Sequence, residues 1–216
     1  MNIINTILDA IYGKRCIHCG VAGAYLCPPC RLSIRLAERE NLDWVYSRYD
    51  YRDPLIKKII WLIKYRYKKA LITLCAHMLY EVLLEELSEK RAFENWREAI
   101  LIPIPLSEKR LRERGFNQSS LLAQVLASID TTRMLSCTDK VLIKHRETKH
   151  QAHIKNRQER LANLAGSFAI RHPEKIIGKN IILIDDVTTT GATLSEARKV
   201  LKKAGAKNII AITLAH

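Results

Sequence analysis

IILIDDVTTTGATL, residues 181–194, opens with four apolar residues, passes through two adjacent carboxylates and ends in hydroxyls around one glycine. That order is poor material for a core. Asp185 and Asp186 repel each other, and a threonine run buries little apolar surface. It makes sense where a buried strand stops and something polar and anionic lies beyond it. In open α/β sheets, ligands bind past the carboxyl ends of the strands. The next segment, TLSEARKVLKKAG (193–205), has a helical pattern stopped by Gly205, and AKNIIAITLAH (206–216) reads as a final strand. Strand, helix, strand in that order implies a parallel crossover unit.

The loop between strand and helix suits a sugar phosphate. A helix N-terminus offers free amides and a favourable dipole to a phosphate. Gly191 lets the backbone close tightly, while Thr189, Thr190 and Thr193 supply hydroxyl donors. Asp185 and Asp186 can accept from two vicinal hydroxyls or orient a hydrated magnesium ion. Phosphate at one end and a cis-diol nearby describe a ribose 5-phosphate. The plainer alternative is an ordinary strand-to-helix turn with capping residues. The stretch resembles the phosphoribosyl pyrophosphate (PRPP) motif of type I phosphoribosyltransferases, which implies a PRPP site over Asp185, Asp186, Val187, Thr188, Thr189, Thr190, Gly191, Ala192 and Thr193. Thr188 departs from the aliphatic residue more usual there. Thr189 replaces the aspartate of many purine-specific members, so purine-base chemistry is not supported.

Upstream, WVYSRYDY (44–51) is strand-like, Asp53-Pro54 opens a helix, and a second helix spans about 69–90. AILIPIP (99–105) is a short buried strand, followed by a helix over 117–129 that starts at Asn117. Between them, LSEKRLRERGFNQ concentrates Lys109, Arg110, Arg112 and Arg114 directly after a strand. The resemblance puts a pyrophosphate loop here, with Leu106, Ser107, Glu108 and Lys109 in it; a solvated charged turn is the alternative. PIPLSEKRLRERGFNQ, KHQAHIKNRQERLANLAGSF (149–168) and the DDVTTTGAT loop together are similar to the ComF-type competence proteins. Residues matching that signature are Arg114, Gly115, Phe116, Asn117, Gln118, Lys149, Gln151, Arg157, Arg160 and Asn163. The resemblance implies a zinc module joined to a phosphoribosyltransferase-like domain and a role in natural transformation, the handling of incoming single-stranded DNA.

CIHC (16–19) and CPPC (27–30) form two C-x2-C pairs separated by seven residues. Two close thiol pairs make a tetrahedral four-sulfur set suited to structural zinc, with Cys16, Cys19, Cys27 and Cys30 as ligands. A redox C-x-x-C pair is the rival, and His18 is a competing ligand. A closed site of this kind leaves no open coordination position, so it props up structure or presents a surface. The expected organisation is therefore residues 1–40 as a helix and zinc module, and 41–216 as the phosphoribosyltransferase-like domain. The fold class is α/β: a parallel sheet flanked by helices. Ile3, Ile4, Ile7, Leu8 and Ile11 fall at helical spacing, and no secretory signal is evident.

With 36 Lys+Arg against 22 Asp+Glu, the net charge is +14, which favours polyanionic partners. A basic proteome would account for the same number. No apolar run approaches the ~20 residues of a membrane span. A cytoplasmic location follows, with attachment to the inner membrane and its DNA-transport machinery left open. Residues 140–160 hold seven Lys/Arg against two Glu and read as a mobile loop followed by a helix. Arg112, Arg114, Lys149, Arg157 and Arg160 are candidate DNA contacts. Tyr46, Tyr49, Tyr51, Trp61, Tyr65 and Tyr67 lie near basic residues and are either stacking platforms for bases or packing residues. Two functions stay open: a DNA-handling protein that binds PRPP with magnesium, and a working phosphoribosyltransferase whose acceptor the sequence does not name.

Overall fold

The computed structural model describes residues 13–38, 42–94, 96–145 and 164–216, without the side chains of 91–94. The expected N-terminal helix falls outside these residues. So do Lys149, Gln151, Arg157, Arg160 and Asn163, and with them most of the basic stretch 140–160.

In chain order the elements are α1 (Pro28–Leu32), β1 (Val45–Tyr49), α2 (Pro54–Arg66), α3 (Lys69–Glu94), β2 (Ala99–Pro103), α4 (Glu108–Arg114), α5 (Gln118–Ile129) and β3 (Leu135–Cys137). They continue with β4 (Leu142–Lys144), β5 (Phe168–Ile170), a 3-10 turn (Pro173–Lys175), β6 (Asn180–Val187), α6 (Ala192–Lys203) and β7 (Asn208–Ala215). Five strands form one sheet in the order β1-β7-β6-β2-β3, with every neighbouring pair parallel. All five carboxyl ends therefore share one edge. β4 and β5 make a separate antiparallel pair.

Side chains alternate along each strand, and the sheet is covered on both faces. Ile182 and Ile184 of β6 pack with Ile210, Ile212 and Leu214 of β7 against buried residues of α2, α3 and α5. Ile181 and Leu183 face the other way, toward Leu194, Ala197 and Leu201 of α6 and toward Leu142 and Phe168 of the β4–β5 pair. Each such isoleucine or leucine contributes about 1.5–3 kcal/mol by leaving water.

The helix α2 starts where Asp53 and Pro54 direct it. The Asp53 side chain accepts from the amides of Leu55 (2.8 Å) and Ile56 (3.3 Å), and the proline occupies the first turn. Leu55, Ile56, Ile59, Ile60 and Ile63 form its buried stripe. It ends at Tyr67, in the left-handed region at φ 45°. That leaves Trp61, Tyr65 and Tyr67 on the outside.

The cysteine-rich segment rests on α2 and α3. Its Cys16, Leu26, Cys27, Cys30 and Ile34 are continuous with the helix-covered core. Lys58 Nζ donates to the Ile17 carbonyl at 2.6 Å, and Arg31 meets Glu81 at 3.5 Å. Arg35 and Arg52 both pair with the buried Asp50, at 3.4 and 3.0 Å.

Candidate functional site

β6 runs through both acids to Val187, because Asp185 and Val187 still pair with Thr213 and Ala215 of β7. Thr188 continues the contact by donating its amide to the Ala215 carbonyl at 3.0 Å. The chain then turns through 189–190 to Gly191, whose φ of 69° is left-handed, and α6 begins at Ala192. A side chain at 191 would be strained by that φ and would collide with Leu42 Cδ1. Thr188 is buried, Thr189 is exposed, and Thr190 and Thr193 are half-buried along the lip of the loop.

The second expected half-site lies beside the first. β2 pairs with β6 in the register Pro103↔Ile184, and the Ile104 amide donates to the Ile184 carbonyl at 2.9 Å. Leu106, Ser107, Glu108 and Lys109 thus leave the same sheet edge as the 185–193 segment. They differ from a plain loop: Ser107 caps α4, so Glu108 and Lys109 occupy its exposed first turn. Arg112 is exposed in the last turn, while Arg114 turns back to donate to Gln118 Oε1 at 3.1 Å.

Two residues complete the acid pair that sequence reasoning did not single out. Asn117 caps α5 by accepting from the Ser119 amide at 3.0 Å, and it donates to the Ile104 carbonyl at 3.0 Å. This places Ser119 so that its hydroxyl donates to Asp185 Oδ1 at 2.9 Å. The same oxygen accepts from the Asp186 amide at 2.9 Å. Strand alternation turns Asp186 toward the α2 face, where Lys64 Nζ lies 2.8 Å from Oδ2, outside good hydrogen-bond angles. Burial works against this ammonium, but the carboxylates of Asp186 and Asp185 outweigh it and hold Lys64 above its ordinary pKa. Lys64 stands one helical turn beyond buried Ile60, on the flank of the apolar stripe, a place that names no partner in the sequence.

Asp185 is pushed up to about 7, first by burial and then by the Asp186 carboxylate; the Ser119 hydroxyl, the Asp186 amide and Lys64 only partly offset this. The sign of the stability effect follows. As pH rises from the unfolded value of 3.8 toward 7, the native state holds a proton that the unfolded chain has lost, so stability falls. An asparagine keeps an oxygen for Ser119 and for the Asp186 amide but carries no charge. Asp185→Asn is therefore expected to melt above the wild type at about pH 8, by about 2–4 °C for each 1 kcal/mol gained, and to lose that advantage near about pH 4. Paired thermal melts across that range check it; an advantage that grows in acid would show the reverse coupling.

The four expected metal ligands come together. The Sγ atoms of Cys16, Cys19, Cys27 and Cys30 all lie within 4.8 Å of one another, and none is in a disulfide. The first knuckle closes when the Gly20 amide donates to the Cys16 carbonyl at 2.9 Å; the second opens α1, with Pro28 and Pro29 in its first turn. His18 is exposed and outside the cluster, which removes it as a rival ligand. The thiols oppose one another's ionisation. Cys30 is pushed up to about 12, chiefly by Cys27, while the amides of Cys19, Cys27 and His18 overcome burial to bring Cys16 down to about 5. Such a set becomes fully ionised only around a cation, and the donors fit a soft divalent metal. Among the described residues this is the one group of three or more His, Cys, Asp or Glu side chains close enough to hold a metal.

Parallel strands, acids at the carboxyl edge and a hydroxyl-rich loop into a helix define a phosphoribosyltransferase-type domain, and residues 116–216 match the phosphoribosyl transferase domain family. Similarity to whole proteins extends further. Competence protein F of Haemophilus influenzae is 30% identical over 195 residues, covering 90% of this chain and 81% of that protein. DNA utilization protein YhgH of Salmonella typhimurium is 29% identical over 198 residues, or 90% and 80% of the two chains. Competence protein ComFC of Bacillus subtilis is 38% identical over 116 residues, 53% of this chain and 43% of that one. The chain belongs to the ComF-type competence protein family.

Proposed function

We propose that this protein handles incoming single-stranded DNA during natural transformation, with PRPP bound at the acid loop and zinc held by the four cysteines. The observation that carries the ligand reading is the adjacency of two half-sites. The acid loop leaves β6, and the basic 106–114 segment leaves the neighbouring strand β2 at the same edge. Asp185 and Asp186 would accept from the ribose diol, the start of α6 and Thr189, Thr190 and Thr193 would take the 5-phosphate, and Ser107 with Lys109 would meet the pyrophosphate. Two carboxylates, one already facing Lys64, do not make a protein-only magnesium site, so the ion would arrive on the ligand's phosphates. The names of the Haemophilus and Bacillus relatives support the competence role. A charge of +14 supports a polyanionic partner. Work in the cytoplasm or at the inner membrane beside the DNA-transport machinery belongs to the same proposal; no described helix is long and apolar enough to cross a membrane.

Asp186→Asn tests the site. An amide accepts more weakly from the diol and gives no anion for magnesium, so PRPP affinity should fall by about 1.5–3 kcal/mol, roughly 10- to 150-fold. Calorimetry with PRPP and magnesium reads this, and equal affinities would assign the acids elsewhere. The same mixture with DNA, assayed for pyrophosphate, addresses the second function. Release above the Asp186→Asn background would make the protein a working transferase; binding without release keeps PRPP as a bound effector.

A further inference from the structure

The six tyrosines and tryptophans near basic residues separate sharply by position. Tyr49 is 3% exposed, and Tyr46 and Tyr51 pack against the helix-covered core. Trp61, Tyr65 and Tyr67 are 48%, 60% and 41% exposed, an unusual amount of aromatic surface for water to cover. These three lie at the C-terminal end of α2, the helix that sends Lys64 to Asp186.

They form one patch interleaved with guanidinium groups. The Trp61 and Tyr65 rings are 5.9 Å apart, one helical turn from each other. Arg66 lies over Trp61 at 5.6 Å, and Arg114 reaches from α4 over Tyr65 at 5.5 Å. Tyr67 meets Phe116, from the basic segment, with centroids 4.6 Å apart. The backbone at Tyr67 is also informative. A bulky residue at φ 45° is strained where glycine would not be, so the ring is kept at a position that local stability disfavours.

We infer that Trp61, Tyr65, Tyr67 and Phe116, with Arg66 and Arg114, form a stacking platform for unpaired nucleobases of a single strand. Flat aromatic faces take any base, and the two arginines supply charge to the adjoining phosphates, which fits a strand better than an uncharged apolar partner. The inference rests on the single-strand role proposed above and specifies where on the molecule the bases lie.

Tryptophan fluorescence reads this site directly. Of the three tryptophans, Trp44 and Trp96 are 8% and 1% exposed, so an added oligonucleotide reaches Trp61. Titrating the full chain with oligothymidylate should quench Trp61. An abasic strand of equal length and charge should bind more weakly without quenching. Tyr65→Ala should weaken the intact strand about tenfold while leaving the slope of affinity against salt unchanged, because the phosphate count is the same. Tyr67→Gly relieves the backbone, so its melting temperature should not fall; its loss of affinity then cannot be attributed to misfolding. Intact and abasic strands binding alike would overturn the platform while leaving the single-strand role standing. No binding of either strand by the wild type would overturn both. Equal quenching by free thymidylate at the same base concentration would make this a mononucleotide pocket and overturn the strand assignment.

Discussion

Lys64→Met should cost about 3 kcal/mol of stability and lower the melting temperature by about 6–12 °C, a large loss for one side chain. Methionine preserves most of the buried stem, so packing is not the main loss. What remains is Asp186, only 5% exposed, beside a half-buried second acid and without its counter-ion. Removing one partner of a buried pair leaves an uncompensated charge, whereas replacing both is much less costly. The double variant Lys64→Met/Asp186→Asn should therefore regain most of the loss. Asp186→Asn alone should be mild, since Lys64 keeps 20% of its side chain exposed and can extend toward water. Urea unfolding of the four proteins closes the cycle. Additive single effects would mean that Lys64 contributes by packing and that the acids find their compensation elsewhere.

Cys27→Ser should be at least as damaging. Structural zinc bound by four thiolates contributes about 10–16 kcal/mol of apparent folding energy in small domains. Losing about 4 kcal/mol of that would lower the melting temperature by about 8–16 °C. Cys27 is buried and opens α1, and the same apolar cluster includes Ile34, Leu55 and Ile59, so unravelling the knuckle uncovers the α2 face. Metal content should drop from about one zinc per chain. Cys137→Ser, which alters a thiol outside the cluster, should retain the metal. Metal-free wild-type protein that melts as the loaded form does would reject a structural role for the site.

The parts of this molecule legible in its sequence were those where chemistry and local order coincide. Residues 181–194 hold strand, acids, glycine and helix start in one continuous stretch, so the candidate site's main loop was visible without the fold. The cysteines were readable for the same reason, being four clustered thiols within fifteen residues. Asp53-Pro54 and Asn117 announced helix starts that the structure shows as capped. Lys64 and Ser119 were not legible as site residues, because they reach Asp186 and Asp185 only after α2 and α5 pack on the sheet. The helix α4 buries no residue and so carries no apolar period; Ser107 before it and Gly115 after it were its only marks. β3 is three residues long, too short for alternation to show, and its place beside β2 is set by pairing across the chain.

The order β1-β7-β6-β2-β3 has a consequence for biosynthesis. β7, made after all the other strands, is the bridge between β1 and β6, hydrogen-bonded to both. Until it has left the ribosomal tunnel, β6 and β1 each present an open edge of the kind that recruits foreign strands. The nascent sheet therefore waits in two unjoined halves, and a chain cut short between residues 188 and 207 carries both edges bare. Such a fragment is a natural client for a holding chaperone or a protease. Because β7 closes the sheet and also braces the acid loop through Thr188, the loop gains its support in the same step that joins the two halves.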